Sequence, residues 1–298
     1  MHTKISIITP SFNQGRFIEQ TIKSVLSQDY PKAEHIIVDG GSTDETLDIL
    51  RNYPHLKVLN GPDKGQANAV NKGLRAASGE IIGWLNSDDT YLPGIFEDVA
   101  KTISSANGVF IAMGRCAFTD EDGRLTGKEH PSAFVSHNEV VKIWKMYTIP
   151  QPAVFFHRKV YEQCGGLDES LYFGLDYDLF LRYTGSFNIY CVNRHWATYR
   201  LHSSSKTMEI SQGELLEKSL KISRRYWGPR STLSYWKYLS SYLWYGGKLG
   251  IISLKKLNMA DRFFHQRELP GFLWNLLLSF VLFPPTIVRY LILPRFRK

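Results

Sequence analysis

The sequence predicts an α/β protein, a mostly parallel sheet flanked by helices, followed by a helical, membrane-associating C-terminal extension. Three observations carry this expectation. Short apolar runs alternate with helical periods through the first ninety of the 298 residues, the pattern of βαβ units. The chain is 43% hydrophobic, enough to bury a sizeable core. Its charge is split: residues 1–223 hold 23 Lys and Arg against 26 Asp and Glu, whereas residues 224–298 hold 13 against 2. A nearly neutral body with a basic tail points to an anionic partner for the tail.

The elements follow in order. KISIIT (residues 4–9) reads as a buried strand, and Phe17, Ile18, Ile22, Val25 and Leu26 repeat at helical spacing after it. EHIIVD (34–39) is a second strand, and DETLDILRNY a helix with Asp44 and Glu45 in its first turn, where the helix dipole favours acids. HLKVLN (55–60) is a third strand, GQANAVNKGLRAAS a third helix and EIIGWLN (80–86) a fourth strand. Beyond these, GVFIAMGRCAFTD and GRLTGK form a hairpin around EDG (121–123). AVFFH is a strand, DYDLFLRY a helix, and FNIYCV and WATYRLH are two strands. Ligands of parallel sheets bind at the carboxyl ends of the strands, so the informative loops are TPSFNQ, DGGSTD, GPDKGQ and NSDDTYLPG.

The tail has another character. Residues 226–245 contain eight Tyr or Trp, and residues 270–288 carry no charge. Pro284 and Pro285 interrupt that stretch. The unbroken piece from Phe272 to Phe283 would be about 18 Å long as a helix, too short to span a bilayer. Aromatic residues with Lys and Arg beside an apolar segment make a membrane-surface anchor the expectation, and packing on the α/β body the alternative.

Several chemistries are excluded. Cys116, Cys164 and Cys191 are far apart, which rules out a disulfide scaffold or a Cys-rich zinc site and suits a reducing compartment. MHTKISIITPSFNQ has no secretory pattern. The first strand–helix turn, TPSFNQGRF, is not a GxGxxG fingerprint, and no GxxxxGK[ST], HExxH or GxSxG occurs.

The acidic loop Asn86, Ser87, Asp88, Asp89 closes the fourth strand. Adjacent carboxylates at the end of an apolar strand call for a cation, and a hard divalent ion held by one or two carboxylates and substrate phosphates supplies it. The alternative is a cap on the helix near Pro93. Asp39 ends the second strand before Gly40 and Gly41. It either accepts hydrogen bonds from a nucleobase or organises a turn with an N-cap at Ser42 or Thr43. Asp176 and Asp178 open a helix, where they complement its dipole or present a proton acceptor to the cleft. His202 in YRLHSSSK is a structural residue or a metal ligand.

Taken together, TPSFNQ, VDGGSTDET, DKGQANAVNKG, GEIIGWLNSDD, GGLDE with LDYDLFLR, and YRLH, in that order from residue 3 to about 207, resemble the family 2 glycosyltransferases of the GT-A fold. The resemblance implies roles by position. Pro10 and Ser11 begin the nucleotide-binding loop and Asp39 binds the base. Asp63, Lys64 and Gly65 lie near the nucleotide-sugar, as do Asn86 and Ser87. Asp88 matches the metal-binding acid of the family's DxD element, with Asp89 after it, and His202 helps to hold the metal and diphosphate. Asp176 matches the catalytic base, and Gln151 and Pro152 lie toward the acceptor. Two positions depart from the family pattern: Asn86 replaces the first Asp of DxD, and Leu175 stands where many members carry Glu. The QxxRW element of processive synthases is absent, which favours transfer of a single sugar.

The resemblance therefore implies an inverting transferase that uses Mn²⁺ or Mg²⁺ and a nucleotide-diphosphate sugar, UDP preferred. Its acceptor would be a glycan or lipid-linked precursor of the cell envelope. Residues 1–210 would be catalytic and 211–298 a basic aromatic extension. The expected location is cytoplasmic, peripheral on the inner face of the plasma membrane, with no nucleic acid partner. A sugar-nucleotide pyrophosphorylase would need a Gly-rich, Arg-bearing loop after the first strand, which TPSFNQGRF lacks. A catalytically degenerate, carbohydrate-binding scaffold is the other alternative.

Overall fold

A computed structural model describes residues 2–248, apart from 105, 107, 146–147 and 207–209. The chain divides into two compact units at Ser223/Arg224. In the first, β1 (Ile5–Ser11), β2 (Ala33–Asp39), β3 (Lys57–Asn60) and β4 (Ile81–Trp84) alternate with α1 (Gly15–Leu26), α2 (Thr46–Arg51) and α3 (Gln66–Ala76). Then come β5 (Thr90–Tyr91), α4 (Ile95–Thr102), β6 (Ile111–Thr119), β7 (Leu125–His130) and α5 (His137–Val141). After a 3₁₀ turn at Gln151–Ala153 follow β8 (Val154–His157), α6 (Arg158–Cys164), α7 (Leu175–Thr184), β9 (Ile189–Arg200) and α8 (Gln212–Arg224).

The strands form one sheet in the order β3-β2-β1-β4-β8-β6-β9-β5, with β7 also on β6. It is mixed, a correction to the mostly parallel sheet expected. β1 pairs parallel with β2 and β4, β2 with β3, and β6 with β9. The pairs β4–β8, β6–β8, β6–β7 and β5–β9 run antiparallel. The first half obeys the crossover rule because each strand is followed by a helix that returns the chain. β8 instead enters from the 3₁₀ turn and lies antiparallel to β4.

Two more expectations change. FNIYCV and WATYRLH are one strand, β9, which runs through the polar Asn193, Arg194 and His195 by a register shift against β6, between the Met113–Cys191 and Arg115–His195 pairs, with surface partners for the polar side chains. Arg194 bonds Asp98 and the Pro93 carbonyl, and His195 Nε2 lies 2.8 Å from Glu129. The helix expected over DETLDILRNY spans only Thr46–Arg51, since Asp44 is used elsewhere: it accepts from the backbone N–H groups of Gly15 and Thr46.

β1 is buried along its whole length. On one face Ile8, Ile36 and Val38 meet Val70 and Leu74 of α3 and Leu179, Phe180 and Tyr183 of α7. On the other Ile5 and Ile7 meet Val25, Phe96, Val99 and Trp196. Both faces of the central strands are therefore dry, and the loops at their carboxyl ends carry the polar chemistry.

His35 sits within this core, its Nε2 2.9 Å from Thr9 Oγ1 and its Nδ1 without a partner. Burial, helped by His55, lowers its pKa to about 3. The native state thus takes up this proton far below the ordinary histidine range, and the unfolded chain takes it up near pH 6.5. Stability falls as pH drops from about 6.5 toward 3, by an amount on the order of a few kcal/mol. Denaturant titrations at pH 7 and pH 4.5 should show a smaller loss for His35→Gln than for the wild type; an equal loss contradicts this reading.

In the second unit, described to Lys248, α9 (Leu233–Lys248) gathers aromatic rings around the buried Trp227. Tyr235, Tyr238 and Tyr242 lie 5.7, 6.2 and 6.4 Å from it. Leu233, Trp236 and Trp244 are exposed. Among the described residues no helix is long and apolar enough to cross a membrane. The uncharged stretch 270–288 lies outside the described residues.

Candidate active site

The carboxyl ends of β1, β2 and β4 place three loops side by side. Asp39, the last residue of β2, is fully buried beneath its own loop. Its Oδ1 accepts from the backbone N–H groups of Gly41 and Ser42, at 3.0 and 2.8 Å, and its Oδ2 from Ser42 Oγ at 2.7 Å. The turn reading of Asp39 therefore describes its contacts here, but α2 starts later than a cap at Ser42 or Thr43 would require. Pro10 and Ser11 are buried next to it in the β1–β2 ladder, and Ser11 Oγ has no partner. Phe12, the next residue, is 60% exposed, an apolar ring on the loop to which the resemblance gives a nucleotide.

Asp63 reaches the same place from the loop after β3. A methyl group on Gly40 would stand 2.7 Å from Asp63 Oδ2, so glycine is what lets this carboxylate approach the β2 loop. Asp63 Oδ1 accepts from the Gly65 N–H at 2.7 Å and so sets the start of α3. Lys64 and Gly65 are exposed.

The acidic loop after β4 does not cap α4, because β5 intervenes and Gly94 precedes that helix. It is held from beneath. Thr21 Oγ1 bridges the Ser87 and Asp89 carbonyls at 2.9 and 2.7 Å. The Arg200 guanidinium donates to the Asp88 carbonyl at 2.8 Å, and the Arg200 backbone N–H donates to Asp89 Oδ1 at 3.0 Å. The two acids consequently differ. Asp89 is buried with Oδ2 unpartnered, and burial together with the neighbouring Asp88 pushes its carboxyl well above the usual range. Asp88 keeps a quarter of its side chain exposed, and its Oδ2 lies 3.0 Å from His202 Nε2. Ser204 Oγ engages His202 Nδ1 at 2.9 Å and Phe17 packs on the ring at 4.6 Å. The opposite nitrogen is thereby aimed at Asp88.

Asn86 joins loops far apart in sequence. Its Oδ1 accepts from Gln66 Nε2 at 3.0 Å and from Trp84 Nε1 at 2.9 Å, and its Nδ2 donates to Gln151 Oε1 at 3.0 Å. Gln151 Nε2 donates in turn to the Trp84 carbonyl. Lys206 Nζ donates to Gln66 Oε1 at 3.2 Å. The structure thus puts Gln151 on Asn86 and buries Pro152 beside it. An Asp at position 86 would face Gln151 Oε1 with another acceptor, and turning the Gln151 amide would only move the conflict to the Trp84 carbonyl. Asn86→Asp is expected to cost about 1–3 kcal/mol in stability, read by denaturant unfolding; an unchanged midpoint would show that the amide network is dispensable.

Asp176 is presented by a clamped loop. Leu167 is tied to α3 through Asn71, whose Oδ1 accepts from the Leu167 N–H at 2.8 Å and whose Nδ2 donates to the Leu167 carbonyl at 3.0 Å. Glu169 accepts from Asn68 and Asn71 at 2.8 and 2.9 Å. From α7, Arg182 donates to the carbonyls of Cys164 and Gly166, both at 2.7 Å, and to Asp178 at 3.0 Å. Asp178 is thus a buried structural partner. Gly174 adopts φ 73° just before α7, a left-handed turn that suits glycine. Asp176, two residues on, is partly buried. Desolvation raises its pKa, against backbone hydrogen bonds and the charge of Lys206.

Gln66, Arg200 and Lys206 are the polar residues that sequence reasoning missed. Gln66 and Lys206 lie inside blocks singled out for their neighbours, and only the folded chain brings them together across 140 positions. Among the described residues no three His, Cys, Asp or Glu side chains converge to cage a metal.

Residues 6–165 match the family model described as Glycosyl transferase family 2. TuaG of Bacillus subtilis (strain 168), named for glycosyl transfer in teichuronic acid biosynthesis, is 32% identical over 143 residues, 46% of this chain and 57% of TuaG. Chondroitin synthase of Escherichia coli is 28% identical over 226 residues, 70% of this chain and 31% of the synthase. The chain thus spans about a third to just over half of the length of these relatives. Among solved structures, Staphylococcus aureus TarS residues 1–349 with UDP-GlcNAc share the fold at a TM-score of 0.63 and 18% identity, over 85% of this chain and 77% of that one. The mannosyltransferase PcManGT of Pyrobaculum calidifontis, with GDP-Man and Mn²⁺, does so at 0.58 and 18% identity, over 88% and 79%.

Proposed function

We propose that this chain, which belongs to glycosyl transferase family 2, moves a single sugar from a nucleotide-diphosphate sugar to an acceptor hydroxyl, with inversion. The observation that carries the proposal is the Asp88–His202 pair at the carboxyl end of β4, joined through Asn86, Gln66 and Lys206 to the surroundings of Asp176.

The donor side comprises Pro10, Ser11, Asp39, Asp63, Lys64, Gly65, Asn86 and Ser87. We take uracil as the preferred base on the family resemblance. For Asp39 to accept a base N–H, a donor of the Gly41–Ser42 loop must yield or share Oδ2. Asp88 and His202 offer one carboxylate oxygen and one imidazole nitrogen at a partly exposed position. Asp88 and His202 would hold a hard divalent ion, Mn²⁺ or Mg²⁺, for which this oxygen and nitrogen donor set is suited. The chemistry it would supply there is neutralisation of the charge that develops on the leaving diphosphate.

This chain's residues supply the rest. Asp176, its pKa raised by burial, removes the proton of the acceptor hydroxyl as that oxygen attacks the anomeric carbon. A single base and an in-line displacement invert the anomeric centre. Gln151 and Pro152 border the site on the acceptor side. The acceptor is a cell-envelope glycan or its lipid-linked precursor, reached from the cytoplasmic face of the membrane. The basic segment 224–298 and the exposed Leu233, Trp236 and Trp244 favour an anionic lipid surface. Flotation with vesicles should show binding to anionic phosphatidylglycerol vesicles that weakens with salt. Equal flotation with neutral phosphatidylcholine alone contradicts the electrostatic part.

The test of the function is a panel of UDP- and GDP-sugars incubated with the full chain, Mn²⁺ and envelope-derived acceptors, read by mass spectrometry. Release of a nucleoside diphosphate with a mass gain of one sugar on an acceptor is the expected result. A folded chain that turns over none of them would contradict this reading and favour the alternative of a carbohydrate-binding scaffold.

A further inference from the structure

Just before the helix that carries Asp176, Tyr172 and Phe173 meet edge to face at 4.7 Å, and Tyr172 is 61% exposed. Two ammonium groups converge on these rings. Lys206 Nζ lies 4.0 Å from the Tyr172 centroid and 5.7 Å from that of Phe173. Lys218 Nζ, from α8, lies 4.6 Å from Phe173. Neither the rings nor Lys218 has a task in the mechanism above.

We infer that Tyr172, Phe173, Lys206 and Lys218 form an acceptor subsite that selects a sugar bearing a negative charge, a carboxylate or a phosphate. The inference rests on the transferase reading, because it is Asp176 that makes this the acceptor side. Tyr172 is 61% exposed even with the Lys206 ammonium over one face, so the ring surface that Lys206 does not cover can pack on the apolar face of a sugar. The two lysines supply charge where that sugar would sit. Lys206 bridges the two halves of the site, since it touches Tyr172 on one side and Gln66 on the other. Its charge also acts on Asp176, so it is near both the sugar-binding rings and the proton acceptor. Lys218 is half-exposed and pairs with Glu214 at 3.2 Å, an exposed contact that an incoming anion can outcompete at little cost.

The probes are methyl β-glucuronide, glucose 6-phosphate and methyl β-glucoside, titrated into the full chain by ligand-observed NMR. Nucleotide binding is measured separately with UDP and GDP. At least one anionic probe should bind about tenfold or more tightly than the neutral glucoside. A glucuronide preference names a uronic acid acceptor, a phosphate preference a phosphorylated one, and either supports the inference. The preference should vanish in Lys206→Met/Lys218→Met and persist in Lys206→Arg/Lys218→Arg, whereas Tyr172→Ala should weaken all three probes. These side chains are at least partly exposed, so folded variants are expected, with melting temperatures as the check. Equal binding of the neutral probe overturns the inference. So does a preference that survives the double Met variant, or displacement of the anionic probe by UDP, which would place it in the donor site. A chain that binds no nucleotide fails the transferase reading instead, so the two failures are distinct.

Discussion

Asp176→Asn is expected to lower turnover by about 10²–10⁴, the usual contribution of a positioned general base, while nucleotide affinity stays within about threefold of wild type. The geometry motivates both halves. Asp176 stands at the start of α7 on a loop clamped by Asn71, Glu169 and Arg182. Asparagine has nearly the same shape and keeps acceptor capacity toward the backbone donors, but it cannot take the proton. Leu175 precedes it, so no carboxylate at the neighbouring position can substitute. The buried Asp178 is already engaged by Arg182 at 3.0 Å. The wild-type rate should also fall as pH drops through the pKa of Asp176, which desolvation places above the ordinary carboxylate value. That limb should be missing from the residual activity of the variant. Stopped assays from pH 4.5 to 8 read both effects. Near-normal turnover in Asp176→Asn would remove this residue from the role of base.

Asp88→Ala is expected to abolish the metal-dependent part of nucleotide binding, a loss of about 100-fold or more in affinity measured with Mn²⁺. Outer partners of metal ligands commonly contribute 10–100-fold, and Asp88 would itself be a ligand. The variant should fold, because the loop is held by contacts other than the Asp88 carboxylate. Thr21 bridges the flanking carbonyls, and Arg200 binds the Asp88 carbonyl and the Asp89 carboxyl. It would leave His202 Nε2 without its partner at 3.0 Å, a modest cost for an imidazole. Calorimetric titration with UDP and GDP in Mn²⁺ and in EDTA separates the components. If the variant matched the wild type in Mn²⁺, Asp88 would not be a metal ligand.

The parts of this molecule legible in sequence are those with local patterns. β1, β2 and β4 are apolar runs that end in polar loops, and Phe17, Ile18, Ile22 and Val25 of the α1 period are buried, whereas Leu26, at the end of the helix, is exposed. The pairing of Asp88 with His202 was legible only through the resemblance, because 114 positions separate them. The antiparallel entry of β8 was not legible. AVFFH is an apolar run that satisfies either strand direction, and only the 3₁₀ turn at Gln151–Ala153 sets it. Nor was the continuity of β9, since Asn193–Arg194–His195 reads as a break until Asp98 and Glu129 are seen to receive it. The amide network shows the same limit more sharply. Asn86 looked like a lost acid, whereas in the fold it is a residue whose donor and acceptor are both used. The contrast between Asp88 and Asp89 likewise comes from burial, which adjacent letters cannot express.

The most direct test of the central claim is a thermal-shift panel of UDP, GDP, dTDP and CMP, each with Mn²⁺ and with EDTA. A ligand that binds only the folded state stabilises it by about 2.7 kcal/mol at a hundredfold excess over its dissociation constant, a shift of a few degrees in a chain of this size. At least one nucleoside diphosphate, UDP first, is expected to raise the melting temperature with Mn²⁺ and to fail to do so in EDTA. A folded chain whose melting temperature no nucleotide moves under either condition would contradict it.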